Sequence, residues 1–277
     1  MTGKILVQSP INYMGSKYVL LNELIPLFPK TRDLTFIDMF TGGGSVYMNV
    51  ASMYNKLVAN DILIDLIDIH RNLKNEEYVK RAADISILTK HDKNAYLKLR
   101  DAYNTTGDSR LLLSLIWSCN SNMMRFNRDL KFNQTHGKRC FNKNTERKFA
   151  ALYKTNTENV EFTSMNFADV KVDEDCFVYL DPPYSNTSAG YNTLWSDEDE
   201  SMLIEYCKTL ISRGIYFGIS GVVNGKENRV FDELSPLLHT VYFGDLYKKI
   251  SKVDKTNKEY YMTNYVEQQP TAQTSDW

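Results

Sequence analysis

The run Leu34-Thr35-Phe36-Ile37-Asp38-Met39-Phe40, closed by Thr41-Gly42-Gly43-Gly44-Ser45, decides how the rest of this chain is read. A short apolar segment that stops on a carboxylate and then on three glycines is the pattern of a buried strand ending in a tight turn. From there Ser45 can cap a helix through Val46, Val50 and Met53, Leu57 to Asn60 reads as the next strand, and Ile62 to Leu73 as the next helix. Strand, glycine turn, helix and strand open a parallel α/β sheet. In such sheets the strand-to-helix turn is where a ligand binds, and glycines let the backbone approach it closely. A purely structural turn would use the same glycines. The spacing is not GxGxxG, which disfavours a nicotinamide dehydrogenase, and Asp38 at the strand end would repel a pyrophosphate. A cationic, amino-acid-like ligand suits it better. Asp61 follows Asp38 by 23 residues, close to the roughly 20-residue offset at which an acidic side chain meets a ribose hydroxyl.

Further along, the pattern changes and then returns. Asn75 to Thr89, Lys93 to Tyr103 and Ser109 to Ser118 read as helices with few strand signals between them, so this region is expected to be an insertion. Its Tyr96, Leu99 and Tyr103 stripe is expected to pack inside it. Val160 to Thr163 and Cys176 to Leu180 are strand-like. Ser196 with Asp199 forms a capping-box start, after which Leu203, Ile204, Cys207, Leu210 and Ile211 share one helical face. Ile215 to Ile219, Thr240 to Phe243 and Tyr260 to Asn264 supply further strands, with a helix around Val230 to Leu238. The polar end from Glu267 to Trp277 is expected to be a disordered tail.

Composition narrows the class. The 277 residues carry 33 basic and 34 acidic side chains and are 43% hydrophobic, which excludes collagenous, coiled-coil and wholly disordered chains. Cys119, Cys140, Cys176 and Cys207 lie far apart without a CxxC pair, so free thiols are expected and no metal site. His70, His91, His136 and His239 share no motif and receive no catalytic or metal role. With no apolar leader and no run of 18 apolar residues, the expectation is a cytoplasmic protein without a membrane partner. The near-zero net charge is unevenly spread. Between Asn120 and Lys154 nine basic residues face two acidic ones. Lys248, Lys249, Lys252, Lys255 and Lys258 form a second cluster. Such segregation points to a polyanion-facing surface.

Asp181-Pro182-Pro183-Tyr184 is the sharpest motif. Two prolines after a buried strand lack N–H donors and stiffen the turn, so the Asp181 carboxylate and the Pro182 carbonyl can aim two acceptors at one spot. Tyr184 adds a flat face. Two acceptors and a ring suit an exocyclic amine on an aromatic ring.

With these motifs in this order, the chain resembles the Dam-type DNA adenine N6-methyltransferases of bacteria and T-even-like phages, over roughly residues 10 to 265. The resemblance implies a Rossmann-like α/β fold of the S-adenosylmethionine-dependent methyltransferases with a mainly helical target-recognition insertion carrying a hairpin. It divides the chain into a catalytic, cofactor-binding part over 1–72 and 158–266 and a DNA target-recognition part over 73–157. Asn12-Tyr13-Met14-Gly15-Ser16-Lys17 looks like the N-terminal motif, in which Tyr13 and Lys17 meet S-adenosylmethionine. Asp38 to Gly44 is similar to the methionine-binding loop, with Phe40, Gly42, Gly43 and the adjoining Ser45 against the cofactor. Asp61 would be the ribose-binding acid, and Phe167 would lie against the adenine. Asp181, Pro182, Pro183 and Tyr184 match the catalytic motif, and Asp181 also borders the cofactor.

The same resemblance places DNA contacts in the insertion. Ser121-Asn122-Met123-Met124-Arg125-Phe126-Asn127, then Phe132-Asn133 and Gly137-Lys138-Arg139, look like the family's recognition hairpin. Arg125 would read a guanine edge, where a planar fork of donors matches O6 and N7. Met123 would pack on the bases, with Asn120, Ser121, Asn122, Asn127, Arg128, Asn133, Lys138 and Arg139 completing the contact set. Asn120 stands where the phage pattern has an aromatic wedge, and Thr135 where it has proline. Tyr191 would help hold an extruded adenine. The activity implied by the resemblance is methyl transfer to N6 of adenine in duplex DNA, in GATC or a related site, without a metal, leaving S-adenosylhomocysteine. A monomer in solution is expected, with more than one copy on DNA compatible with it. N4-cytosine methylation, RNA adenine methylation and a catalytically silent DNA-binding protein are the alternatives.

Overall fold

A computed structural model describes residues 6–183, 195–223, 227–243 and 258–266. At its centre β1 (Thr35–Asp38) pairs in parallel with β2 (Lys56–Asn60) on one side and β4 (Cys176–Leu180) on the other. β3 (Val160–Thr163) extends the sheet beyond β2. Past β4 come β5 (Tyr216–Val223), then β7 (Lys258–Thr263) and β6 (His239–Phe243). The order is β3-β2-β1-β4-β5-β7-β6, with β7 antiparallel to both neighbours. This is the expected Rossmann-like methyltransferase architecture. The chain winds outward from β1 through β2 to β3 and then restarts at β4, so the strand order reverses between β1 and β4. A crevice opens at the carboxyl ends of strands at such a reversal.

Alternation along the strands divides the core between two faces. Phe36, Leu57, Phe177 and Tyr179 point to one side, and Ile37, Val58, Val178 and Leu180 to the other. On the first side Phe28 sits among Phe36, Phe177, Tyr179 and Tyr261 with ring centroids 5.3–6.0 Å apart. Truncating such a ring to alanine typically costs about 3–5 kcal/mol. α1 (Leu21–Leu24) and α3 (Ile64–Asn72) also pack there. So do α4 (Glu76–Thr89), α5 (Lys93–Thr106), α6 (Ser109–Ser118) and α7 (Lys143–Leu152), whose buried residues join one continuous cluster with the sheet. Tyr96, Leu99 and Tyr103 are buried packing residues, as their spacing suggested. The second face is covered by α8 (Asp197–Ser212), opened by the Ser196–Asp199 capping box, and by α9 (Arg229–Leu234). No helix among the described residues is long and apolar enough to cross a membrane. The four cysteines are buried and unbridged.

The start of the helix after β1 differs from the expectation. α2 spans only Tyr47–Val50, followed by a 3-10 turn over Ala51–Met53, and Ser45 does not cap it. Its hydroxyl lies 2.7 Å from that of Ser16. The Tyr47 N–H donates instead to Asp38 Oδ2 at 3.1 Å. The Asp38 side chain at the end of β1, and not the Ser45 hydroxyl, thus accepts the first free N–H of the helix.

Candidate active site and nucleic-acid interface

The glycine turn is held from several directions. Thr41 N–H donates to the Asn60 carbonyl at the end of β2 at 2.8 Å, and Thr41 Oγ1 to the Asp38 carbonyl at 3.1 Å. Gly42 N–H donates to Asp61 Oδ2 at 2.9 Å, while Leu63 N–H donates to Asp61 Oδ1 at 3.0 Å. Tyr13 lies across the turn. A Cβ on Gly42, where φ is +48°, would come within 2.9 Å of its ring, and one on Gly43 within 2.7 Å of its Cβ. Glycine is required here because another side chain already occupies the space.

Asp38, Lys17 and Asp61 are buried ionisable groups of the crevice, 1%, 3% and 7% exposed. Burial, then the nearby Asp181 charge and that of Asp61, push the Asp38 pKa up to about 8 against the opposing Tyr47 N–H bond. Asp61 is also raised, by burial, against the N–H bonds from Leu63, Gly42 and Ile62. Lys17 opens a 3-10 turn over Lys17–Leu20 that Ser16 caps. Its Nζ stands 2.8 Å from Asp181 Oδ1 and donates to the Gly15 carbonyl at 3.1 Å. Burial alone would lower the Lys17 pKa, yet the charges of Asp181 and Glu259 raise it beyond its ordinary value. Lys17 was expected to meet the cofactor; it lines the crevice and pairs there with the catalytic-motif carboxylate.

The remaining wall is aromatic. Phe40, Phe167 and Trp195 surround one another with centroids 5.5–5.8 Å apart. Together Tyr13, Lys17, Asp38, Phe40, Gly42, Gly43, Ser45, Asp61, Phe167, Asp181, Pro182 and Pro183 border one crevice enclosing about 1070 Å³, open solvent included. The donor set fits S-adenosylmethionine. Buried carboxylates Asp38 and Asp61 suit its cationic and hydroxyl groups, the Gly42–Gly43 cradle allows close approach, and the Phe40, Phe167 and Trp195 rings offer faces for a base.

In the insertion the hairpin is present but short. Phe126 bridges Phe132 in antiparallel fashion, Asn133 N–H donates to the Arg125 carbonyl at 3.0 Å, and Asn127 N–H to the Lys131 carbonyl at 2.9 Å. Asn127 Oδ1 closes the tip by accepting from Asp129 N–H and Lys131 N–H. Arg125 is exposed, and its Nε donates to Asn133 Oδ1 at 2.9 Å. Asn120, Ser121, Arg128, Lys138 and Arg139 are exposed, and Met123 is half-buried. Asn122 departs from its expected DNA role. It is 5% exposed, and its Nδ2 donates to the Ile116 and Trp117 carbonyls at 3.0 Å, which satisfies the C-terminal end of α6. Lys148, counted in the basic surplus, is also buried and donates to Asn12 Oδ1 at 3.0 Å. Tyr184, Tyr191, Lys248, Lys249, Lys252, Lys255 and the tail lie outside the described residues.

Several contacts of the site carry no signal in the sequence. Asn60 Nδ2 donates to the Met39 and Met165 carbonyls at 3.1 Å and its Oδ1 accepts from Thr163 and Met165, tying β2 to the loop before Phe167. Trp195 had no motif around it. His70 and Tyr47 lie beneath the glycine turn, and Asn104 grips the hairpin; a single polar residue within a helical pattern carries no signal of its partner.

The geometry thus defines a ligand crevice at a sheet reversal, with an acidic, proline-stiffened strand end beside a glycine cradle. The chain belongs to the D12 class N6 adenine-specific DNA methyltransferases, whose family pattern it matches over residues 13–265. It is 31% identical to the type II methyltransferase M.FokI of Planomicrobium okeanokoites, over 94% of this chain and 43% of that protein. Modification methylase StsI of Streptococcus sanguinis gives 31% identity over 94% of this chain and 43% of its own length. The DNA adenine methylase of Escherichia coli K12 is 26% identical over 74% of this chain and 77% of that protein. The chain therefore spans less than half the length of the first two relatives.

Proposed function

We propose that this protein transfers a methyl group from S-adenosylmethionine to N6 of adenine in duplex DNA, after rotating the base out of the helix. The observation that carries this reading is Asp181, held by Lys17 at 2.8 Å on the rim of the crevice that Asp38, Asp61 and the glycine turn also border. When bound, S-adenosylmethionine supplies a methyl group on a positively charged sulfur and departs as S-adenosylhomocysteine. The chain's own residues do the rest. Asp38 and Asp61 bind the charged and hydroxyl ends, and the aromatic wall takes the adenine ring of the cofactor. Asp181 and the Pro182 carbonyl accept the two N6 hydrogens of the target base, which turns the nitrogen lone pair toward the methyl carbon. As the new C–N bond forms and the S–C bond breaks, the nitrogen becomes cationic, and its surplus proton then passes to solvent. Lys17 holds Asp181 in the required orientation. Tyr184 supplies a stacking face for the extruded base, and Tyr191 borders it.

The insertion over 73–157 reads the target, and 1–72 with 158–266 forms the catalytic part. Arg125, set by Asn133, presents its fork to a guanine of GATC or a related site. Met123 packs beside it, and Arg128, Lys138 and Arg139 hold phosphates, so that affinity falls with salt. The protein works in the cytoplasm, where its DNA substrate lies, as a monomer and without a metal.

Replacing Asp181 with Ala tests the assignment. Transfer of labelled methyl groups to DNA is expected to fall at least about a thousandfold, while DNA retention by filter binding stays within about twofold, since the lost contacts act at the transition state. An Ala variant with a tenth or more of the normal rate would overturn the role of Asp181.

A further inference from the structure

His70 is 3% exposed on α3, and the methyl-transfer mechanism gives it no part. Its Nε2 lies 2.8 Å from the Gly42 carbonyl and its Nδ1 lies 3.1 Å from the Tyr47 hydroxyl. A carbonyl only accepts, so Nε2 carries the ring proton, and Nδ1 then accepts from the Tyr47 O–H. Nδ1 can accept only in the neutral imidazole, and burial favours that form by lowering the His70 pKa to about 4. Two aromatic rings flank the imidazole. Tyr47 meets it edge-on at 5.3 Å, and Phe162 stacks parallel to it at 6.2 Å. A Cβ on Gly44 would come 2.5 Å from Tyr47 and 2.7 Å from His70, so the turn is fitted closely over the pair.

The consequence falls on Gly42. Its N–H is taken by Asp61 and its carbonyl by His70, so two side chains from one segment fix both polar groups of a residue at φ +48°. Without such a hold, a run of three glycines samples many conformations and must be ordered when a ligand arrives. We propose that His70, oriented by Tyr47, is a positioning residue that pre-sets the Gly42 peptide of the cofactor loop and thereby strengthens cofactor binding. His70 itself does not line the crevice. This inference rests on the crevice being the S-adenosylmethionine site.

The test is isothermal titration of the full chain with S-adenosylmethionine. His70→Leu keeps the volume and removes the donor; His70→Gln keeps an N–H that can reach the Gly42 carbonyl; Tyr47→Phe removes only the hydroxyl. His70→Leu is expected to weaken binding about tenfold, with kcat at saturating cofactor within about twofold of the parent. His70→Gln should restore affinity to within about threefold, and Tyr47→Phe should weaken it about threefold. Parental affinity in both His70→Leu and Tyr47→Phe would overturn the proposal, as would a His70→Gln that melts like the parent yet binds as poorly as His70→Leu. If His70→Leu does not fold, a Tyr47→Phe with parental affinity, or a His70→Gln that melts like the parent yet binds about tenfold more weakly, overturns the proposal. The parent's own titration separates the two readings: no binding by the parent sinks the assignment of the crevice, whereas binding that none of the variants alters sinks only the role of His70.

Discussion

Asp38 uses one carboxylate for two purposes. It caps α2 through the Tyr47 N–H, and it faces the crevice, where burial and the Asp181 charge raise its pKa to about 8. The unfolded chain loses this proton near the ordinary value of 3.8, so between about pH 4 and 8 the folded protein binds more protons. This group's contribution to stability is therefore largest at low pH and declines as pH rises through that window. A cationic ligand reverses the preference by favouring the carboxylate. Cofactor affinity should consequently climb with pH up to about 8 and then level off, with about one proton released per ligand near pH 7. Titrations in two buffers of different ionisation enthalpy count that proton, and Asp38→Asn should abolish the release. Equal heats in both buffers for the parent would contradict the account. At this scale the sequence was informative where chemistry lies in a contiguous motif, as in Asp38 to Gly44 and Asp181 to Pro183. It was silent where a partner comes from far along the chain, as with Lys17 and Asp181 or His70 and Gly42.

Elements carry the placement of the hairpin. Asn104, near the end of α5, pairs with the hairpin as a strand would: Nδ2 donates to the Phe132 carbonyl at 3.0 Å and Oδ1 accepts from the Phe132 N–H at 2.8 Å. Its own carbonyl accepts from Lys131 Nζ at 2.6 Å. The neighbouring Tyr103 hydroxyl donates to Asp65 on α3 at 2.7 Å, which joins this clamp to the segment that follows Asp61. Asn104→Ala leaves two part-buried backbone groups unpaired, a loss of about 1–3 kcal/mol. The expected result is a KM for DNA raised about tenfold, with the Kd for S-adenosylmethionine unchanged; a variant altered in cofactor binding but not in DNA KM would refute the clamp. Element existence was legible because apolar periods of two and about four residues persist over whole segments. Boundaries were less so. β5 runs through Gly221 to Val223 although glycine reads as a stop, because the Tyr260 ring of β7 occupies the space a side chain at 221 would need. α2 is shorter than its pattern because the Asp38 cap fixes its start only at Tyr47.

For the whole molecule, the order of segments along the chain already encodes the site. Strands on either side of the reversal between β1 and β4 end in the glycine turn and in Asp181, so parallel pairing alone brings the two motifs to one crevice. The helical insertion shares the core of one sheet face, and its exposed Arg125, Arg128, Lys138 and Arg139 form a cationic surface that net charge conceals. The basic surplus in the sequence overstated that surface by including Lys148, which packing turned inward against Asn12. The reading as an adenine-N6 DNA methyltransferase is tested most directly by incubating the protein with unmethylated duplex DNA and isotopically labelled S-adenosylmethionine, digesting the product to nucleosides and weighing the labelled species. The account predicts that the label appears as N6-methyladenine. Label found only in N4-methylcytosine, or none in DNA under conditions where the protein binds both ligands, would contradict it.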